Sequence, residues 1–171
     1  MKVLVTYFSQ SGNTEKIAKA IYDQVSESQD AELKKLEDVR PEDALGYDLI
    51  FIGSPLHSGS LAAPVKECLH GIQPKPGQKM AGFITHFAPA YPEQDMDKFT
   101  EPMKTACQEK GMEYLGCFDC QGFLATSLHQ AVQKKMNLTD DQWDDMVKQM
   151  TGRPSQADEA DAKAFAKKMI A

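Results

Sequence analysis

The sequence alternates short, nearly continuous apolar runs with longer segments of helical periodicity. Three strong runs are too apolar to be strands with one solvated face, and they cover residues 2–8, 47–53 and 79–85. Residues 32–36 and 113–118 are weaker strand candidates. Because buried strands that alternate with helices form parallel sheets with right-handed crossovers, the pattern predicts an α/β fold with a five-stranded parallel sheet.

Helical segments separate these runs. Residues 13–28 place apolar side chains three and four positions apart, a second helix begins near Pro64, and a third spans residues 95–110. Three further helices are predicted after the last strand, over residues 126–136, 139–150 and 155–170, with Thr139 as the N-cap of the middle one. The sequence therefore predicts helices on both faces of the sheet and extra helices after the last strand.

The size and composition are those of one globular domain. The chain has 171 residues, of which 42% are hydrophobic and 26% charged, and no repeat or low-complexity linker interrupts it. We therefore predict a single domain over residues 1–171. Met1 leads directly into a strand rather than into a secretory signal, so a cytoplasmic location is expected. The four cysteines (Cys68, Cys107, Cys117 and Cys120) are accordingly expected to be reduced thiols.

The charge balance excludes some classes of partner. The formal net charge is -6, which argues against a nucleic-acid footprint or a polybasic membrane surface. No apolar run approaches the roughly 20 residues that span a bilayer. We expect small ligands or proteins with basic patches as partners, and neither nucleic acid nor membrane.

The loop between the first strand and the first helix is the most informative segment. It consists of Ser9, Gln10, Ser11, Gly12, Asn13 and Thr14. A helix N-terminus preceded by hydroxyl side chains can bind one phosphate through backbone N–H groups, although the same residues can simply cap a helix. The loop has neither the lysine of a nucleotide-triphosphate loop nor a GxGxxG dinucleotide fingerprint.

Three segments resemble those of flavodoxins. The loop of residues 9–14 resembles the family's FMN phosphate loop, residues 47–59 with 64–66 look like its third strand and first flavin loop, and residues 82–89 are similar to its fourth strand and second flavin loop. The resemblance implies a flavodoxin-like three-layer sandwich with strand order 2-1-3-4-5 and non-covalently bound FMN. The three segments end neighbouring strands, where open α/β sheets bind ligands.

The resemblance also implies cofactor contacts from both flavin loops. The residues concerned are Ser54, Pro55, Leu56, His57, Ser58, Gly59, Thr85, His86, Phe87, Ala88 and Tyr91. Because an isoalloxazine needs flat apolar cover, we expect His57 and either Phe87 or Tyr91 to flank the ring. Gly59 is the candidate for a peptide that flips to accept a hydrogen bond from reduced N5, since glycine changes backbone region at little cost.

Other reactive side chains have ordinary interpretations. For His57 and His86, a solvated or hydrogen-bonded side chain is favoured over a role in proton transfer. A metal site at these histidines is disfavoured, because no third ligand has suitable spacing in the sequence. Cys117 and Cys120 have CxxC spacing but lie on a strand, which favours Cys117 as a small buried hydrophobe over a redox pair. Cys120, with Asp119 and Gln121, lies where a third loop could touch the flavin rim.

Two features depart from the flavodoxin pattern. The only tryptophan, Trp143, lies among aspartates on a helix that is interpreted as a solvated face or as a surface that steers a basic partner. Residues 124–153 exceed what a compact flavodoxin needs. They either pack on the sheet, cover the flavin edge, bind a partner or form a dimer face.

Three functions remain open from the sequence. The first is an electron carrier that uses FMN to shuttle electrons between a reductase and an acceptor enzyme, which are its expected redox partner proteins. The second is an NAD(P)H-dependent FMN oxidoreductase that reduces a quinone or another conjugated small molecule. The third is a flavin-free binding module. The missing nicotinamide motif favours the carrier, whereas the loop histidines favour the enzyme.

Overall fold

The computed structural model describes residues 1–88 and 93–171, apart from the side chains of residues 93–95. The strands are β1 (Lys2–Tyr7), β2 (Asp30–Lys35), β3 (Leu49–His57), β4 (Ser60–Leu61), β5 (Lys79–His86) and β6 (Glu113–Gln121). The α-helices are α1 (Asn13–Ser26), α2 (Ala63–Gly71), α3 (Glu93–Lys110), α4 (His129–Lys135), α5 (Asp140–Met150) and α6 (Gln156–Met169). Short 3-10 turns cover Leu36–Asp38, Pro41–Gly46 and Thr126–Leu128.

Five parallel strands form the sheet in the order β2-β1-β3-β5-β6. This arrangement confirms the predicted flavodoxin-like fold and its strand order. One element is additional, because the two-residue strand β4 pairs antiparallel with the end of β3. The carboxyl ends of β1, β3 and β5 therefore lie side by side.

Apolar side chains fill a core on each face of the sheet. Strand residues alternate between the faces: Leu4 and Ile50 belong to one cluster, whereas Val3 and Phe51 belong to the other. The first cluster packs against α2 and α3 through Val65, Leu69 and Met103, and the second packs against α1 and α6 through Ile17, Ile21 and Ala162. This two-sided burial explains why the strands read as continuous apolar runs.

Several elements differ from the prediction in extent. Strand β3 continues to His57 instead of ending at Gly53, and the last strand continues to Gln121. The predicted helix over 126–136 begins as a 3-10 turn before α4. On α5 the four aspartates around Trp143 are exposed, as the predicted solvated face requires, whereas the Trp143 side chain itself is only 6% exposed. Within the described residues, none of the helices has the length and apolar character that crossing a membrane requires.

Candidate functional site

A cleft of about 190 Å³ opens at the carboxyl ends of the parallel strands. Most of its lining comes from the loop after β1 with the start of α1, from the carboxyl ends of β3 and β5, and from Phe87. The chain after β6 supplies the rest. The lining residues are Gln10, Ser11, Asn13, Thr14, Pro55, Leu56, His57, Thr85, His86, Phe87, Gly122, Phe123, Leu124, Ala125 and Leu128. The three segments that the sequence singled out therefore meet in one place.

The loop after β1 leaves the N-terminus of α1 open to a ligand. Gly12 is the N-cap in the left-handed region (φ 89°), and no side chain caps the helix. The first intrahelical bond is donated by the Lys16 N–H to the Gly12 carbonyl at 3.0 Å, so the preceding N–H groups of the first turn have no acceptor in the helix. Ser9 Oγ accepts from the Gly12 N–H at 3.1 Å and shapes the loop. A single phosphate fits this end of the helix.

Two side chains fasten this phosphate loop to the rest of the cleft. Asn13 Nδ2 donates to the Phe123 carbonyl oxygen at 2.9 Å, which joins the start of α1 to the chain after β6. The hydroxyls of Thr14 and Thr85 are 2.8 Å apart, and both side chains are buried. The position of the phosphate loop is thus coupled to the end of β5.

We expect Thr14→Val to weaken FMN binding by about 1 kcal/mol or more, because the loop loses a hydroxyl that can face the phosphate. Flavin fluorescence titration of the apoprotein measures the affinity. Thr85→Val removes the same internal hydrogen bond but leaves every loop hydroxyl in place, so we expect a smaller loss. Unchanged affinity in Thr14→Val would mean that the phosphate lies elsewhere.

The first flavin loop is a tight hairpin. Leu56 pairs with Leu61 and His57 with Ser60, which leaves Ser58 and Gly59 as the two turn residues. Both have positive φ, 51° and 75°, as in a type I′ turn. A flip of the peptide between them would give a type II′ turn, whose first position favours glycine. Ser58 therefore opposes the flip that was predicted for Gly59.

We expect Ser58→Gly to make that flip easier by about 1 kcal/mol, because the strained backbone region no longer bears a side chain. The flipped carbonyl would accept a hydrogen bond from the reduced flavin, so the midpoint potential should rise while the affinity for oxidised FMN stays the same. Potentiometric titration measures the first quantity. A potential equal to that of the wild type would show that this peptide does not flip on reduction.

The predicted ring-flanking residues have different environments. His57 is exposed at the cleft, with its ring edge-on to Phe8 at 6.4 Å between centroids. Phe87 is half-buried and lines the cleft. Tyr91, the alternative to Phe87, lies outside the described residues.

Some other predicted contacts do not line the cleft. Ser54 is buried, and its hydroxyl accepts from the Ala62 N–H at 2.9 Å, which ties β3 to the start of α2. Ser9, Gly12, Ser58, Gly59 and Ala88 border the cleft loops without being among its lining residues. Ser9, Gly12 and Ser54 shape the site through backbone geometry and internal hydrogen bonds.

His86 is fixed on both sides of its ring. Nδ1 lies 2.9 Å from the Ala88 carbonyl oxygen, and Nε2 lies 2.9 Å from Asp119 Oδ2. Asp119, on β6, was expected only as part of a third loop at the flavin rim. Its contact with a cleft histidine depends on the pairing of β5 with β6, which no local motif reveals.

The chain after β6 forms a side of the cleft for which the sequence named no individual contact residues. Phe123 and Leu128 line it, and Lys135 on α4 reaches Ser58 Oγ at 3.4 Å on the hairpin. The His129 ring contacts Phe123 and Trp143, at centroid distances of 5.5 and 5.3 Å. The third loop and the extra length of residues 124–153 were the signals in the sequence, and residues 122–128 form one side of the cleft.

The four cysteines are free thiols and are not placed for chemistry in the cleft. Cys117 and Cys120 contribute to opposite core clusters, so their CxxC spacing does not bring the sulfurs together. Burial raises the thiol pKa of both, and it raises the pKa of Cys107 to about 11. Cys120 is in the core rather than at the cleft rim, contrary to the sequence-based expectation.

Comparison with known proteins agrees with this geometry. Residues 4–169 match the flavodoxin domain family. The chain is 31% identical over 181 residues to the flavodoxin-like domain-containing protein BilS of Clostridioides difficile (strain CD3), covering 99% of this chain and 97% of that protein. It is 32% identical over 124 residues to the uncharacterized protein MJ0298 of Methanocaldococcus jannaschii, covering 72% and 77% of the two chains.

Solved structures with the same fold include two oxidised flavodoxins from Bacillus cereus. Flavodoxin 2 superimposes with a TM-score of 0.66 at 22% identity, over 98% of this chain and 96% of that one. Flavodoxin 1 superimposes with a TM-score of 0.67 at 19% identity, over 99% and 97%. Together with the match of the flavodoxin domain to nearly the whole sequence, these findings show that the chain belongs to the flavodoxin family.

Proposed function

We propose that this FMN-binding redox protein is an electron carrier between a reductase and an acceptor enzyme. The residues of the cleft suit FMN. The open N-terminus of α1 would hold the phosphate, the hydroxyl of Ser11 and the side chain of Asn13 border it, and the apolar side chains of Leu56 and Phe87 would cover the ring. Bound FMN supplies the electron-transfer chemistry, and the protein sets its orientation and potential.

The observation that supports a carrier is the composition of the cleft mouth. His57 and Leu128 line the cleft and are both exposed, Leu128 to 49%. Because both side chains face solvent beside the cleft, this rim is open to contact by another protein. A partner protein can therefore reach the rim of the cleft and exchange electrons without entering it.

An NAD(P)H-dependent FMN oxidoreductase is the second candidate. Among the described residues that line the cleft, none is an aspartate or a glutamate. A cleft without carboxylates does not repel the anionic phosphates of a nicotinamide nucleotide. This feature suits direct reduction by NADH or NADPH and the transfer of electrons to a quinone or another conjugated small molecule.

Anaerobic mixing of the FMN-loaded protein with NADH or NADPH separates the two functions. A carrier keeps its oxidised flavin absorbance until a separate reductase is added, which is the result we expect. Rapid bleaching by either nucleotide alone would establish the oxidoreductase. Failure of the apoprotein to bind FMN at micromolar concentration would instead support a flavin-free binding module.

A further inference from the structure

Two lysines from different helices contact the hairpin that follows β3. Lys135 of α4 donates from Nζ to Ser58 Oγ at 3.4 Å, and Lys66 of α2 donates from Nζ to Ser60 Oγ at 3.2 Å. Both lysines are exposed. Since only Gly59 separates the two serines, two ammonium groups meet at the tip of one hairpin.

The contacts with serine leave both ammonium charges in place. A serine hydroxyl is an uncharged acceptor, and a lysine ammonium group has three donors, of which each contact uses one. Among the described side chains, no carboxylate forms an ion pair with Lys66 or Lys135, whereas Lys16 and Lys104 are paired in this way. The hairpin tip therefore carries two positive charges that can still pair with another molecule.

Acidic side chains close to these lysines in sequence do not contact the hairpin serines. Asp140 accepts from Gln133 Nε2 of α4 at 2.8 Å. Gln133 and Lys135 are two residues apart, roughly 200° around a helix, so this carboxylate lies on the other side of α4. On α2, exposed Glu67 directly follows Lys66, and consecutive helix residues do not face each other. The charged groups that contact the hairpin serines are thus both cations.

The two lysines lie beside the cleft rather than inside it. Neither is among the described lining residues, and the hairpin that they contact borders the cleft. A small molecule that enters the cleft would meet its lining, whereas a protein that covers the cleft mouth would meet both lysines at once. The arrangement therefore suits the surface of a protein.

We propose that the hairpin tip, with Lys66 and Lys135, docks the redox partner, and that the partner presents carboxylates there. This inference rests on the proposed carrier function. The net charge of -6 by itself favours a basic partner. At physiological ionic strength, however, exposed charges act over about 8 Å, so the charges at the contact decide which surfaces fit together.

The first test maps the contact by ¹⁵N NMR of the oxidised, FMN-loaded protein. The probe is succinylated cytochrome c, an acidic form of a basic haem protein. At low ionic strength we expect it to shift the amide signals of the hairpin and of both lysines more than unmodified cytochrome c does. Shifts confined to other surfaces, or larger hairpin shifts with the basic form, would overturn the proposal. Because chemical shifts report contact without electron transfer, the result holds whether the protein is a carrier or an oxidoreductase.

The second test compares rates of electron transfer from the chemically reduced, FMN-loaded protein to the acidic and the basic cytochrome. The ratio of the two rates cancels any change in flavin potential. We expect Lys66→Gln/Lys135→Gln to lower this ratio about fivefold at low ionic strength, and the loss to vanish at high salt. Lys167→Gln/Lys168→Gln, in the last turn of α6, changes the net charge equally and is the control.

The control and a small anion decide what the lysines recognise. An equal loss in the control would show that net charge sets the rates, and an unchanged ratio in the hairpin variant would show that its lysines do not meet the partner. If the hairpin variant slowed only the reduction of ferricyanide, the lysines would attract small anions instead of a protein. Each of these results would overturn the proposal, whereas a loss confined to the hairpin variant and the acidic cytochrome supports it.

Discussion

Alanine at Gly53 should destabilise the protein by about 3 kcal/mol, at the upper end of the usual cost of overpacking a core. Gly53 lies in β3 directly beside Phe83 of β5, and both residues are fully buried. A Cβ at Gly53 would lie less than 3.0 Å from three atoms of the Phe83 ring. The ring has no free space to move into, because its neighbours in the core are also buried. Urea unfolding measures the change in the free energy of unfolding.

Gly46 is the matched control for this substitution. A Cβ at Gly46 would meet nothing within 4 Å, so Gly46→Ala should change stability by a few tenths of a kcal/mol. Adding Phe83→Leu to Gly53→Ala should recover part of the loss, since the smaller side chain leaves room for the methyl group. If Gly53→Ala were as stable as Gly46→Ala, the Phe83 ring could not lie as close to Gly53 as the structure places it.

The fold was largely predictable from the sequence because burial on two faces leaves a strong local pattern. The apolar runs at β1, β3 and β5 identified the central strands, and the capping residue Thr139 marked the start of α5, where it accepts from the Gln142 N–H. The hairpin strand β4 was missed because two residues are too few to show alternation. The burial of Trp143 was missed because its neighbours in sequence are aspartates, while its contact is with His129.

The site was predictable only in part. The loop chemistry of residues 9–14 and the residues at the ends of β3 and β5 indicated the cleft, since each follows a strand at the edge where ligands bind. The contributions of Phe123, Leu128 and Asp119 depend on how distant segments meet in space. The sequence indicated a third loop near Asp119 and a possible cover of the flavin edge by residues 124–153, but no periodicity or motif in residues 119–128 identifies which side chains reach the cleft.

Loss of the Asp158 side chain should destabilise the protein strongly. It is 7% exposed at the start of α6 and accepts from Arg153 Nη1 at 2.6 and 2.8 Å, from the Ser155 N–H at 2.5 Å and from Ser155 Oγ at 2.8 Å. Asp158→Ala leaves these donors without their acceptor, and we expect a loss of about 3 kcal/mol. Urea unfolding of the wild type and of Asp158→Ala at pH 7 measures the difference in their free energies of unfolding.

The same region supports the phosphate loop. Lys16 on α1 donates to the Pro154 carbonyl oxygen at 2.5 Å and pairs with Glu159 of α6 at 3.0 Å. Asp158→Ala removes contacts at the start of α6, so this variant should also bind FMN more weakly, although Asp158 does not line the cleft. Asp161→Asn, an exposed position on the same helix, is the control and should affect neither quantity.

The stabilisation from Asp158 should depend on pH in a defined direction. Burial favours the neutral acid, but the hydrogen bonds from the Ser155 backbone, Arg153 and the Ser155 hydroxyl outweigh it and hold the pKa of Asp158 below its usual value of 3.8. Because the folded state binds this proton more weakly than the unfolded state, the contribution is complete above about pH 5 and is lost as the pH falls below about 4. The stability difference between the wild type and Asp158→Asn should shrink over that acidic range. A difference that stayed constant from pH 7 to pH 3 would show that the carboxylate charge contributes nothing to stability.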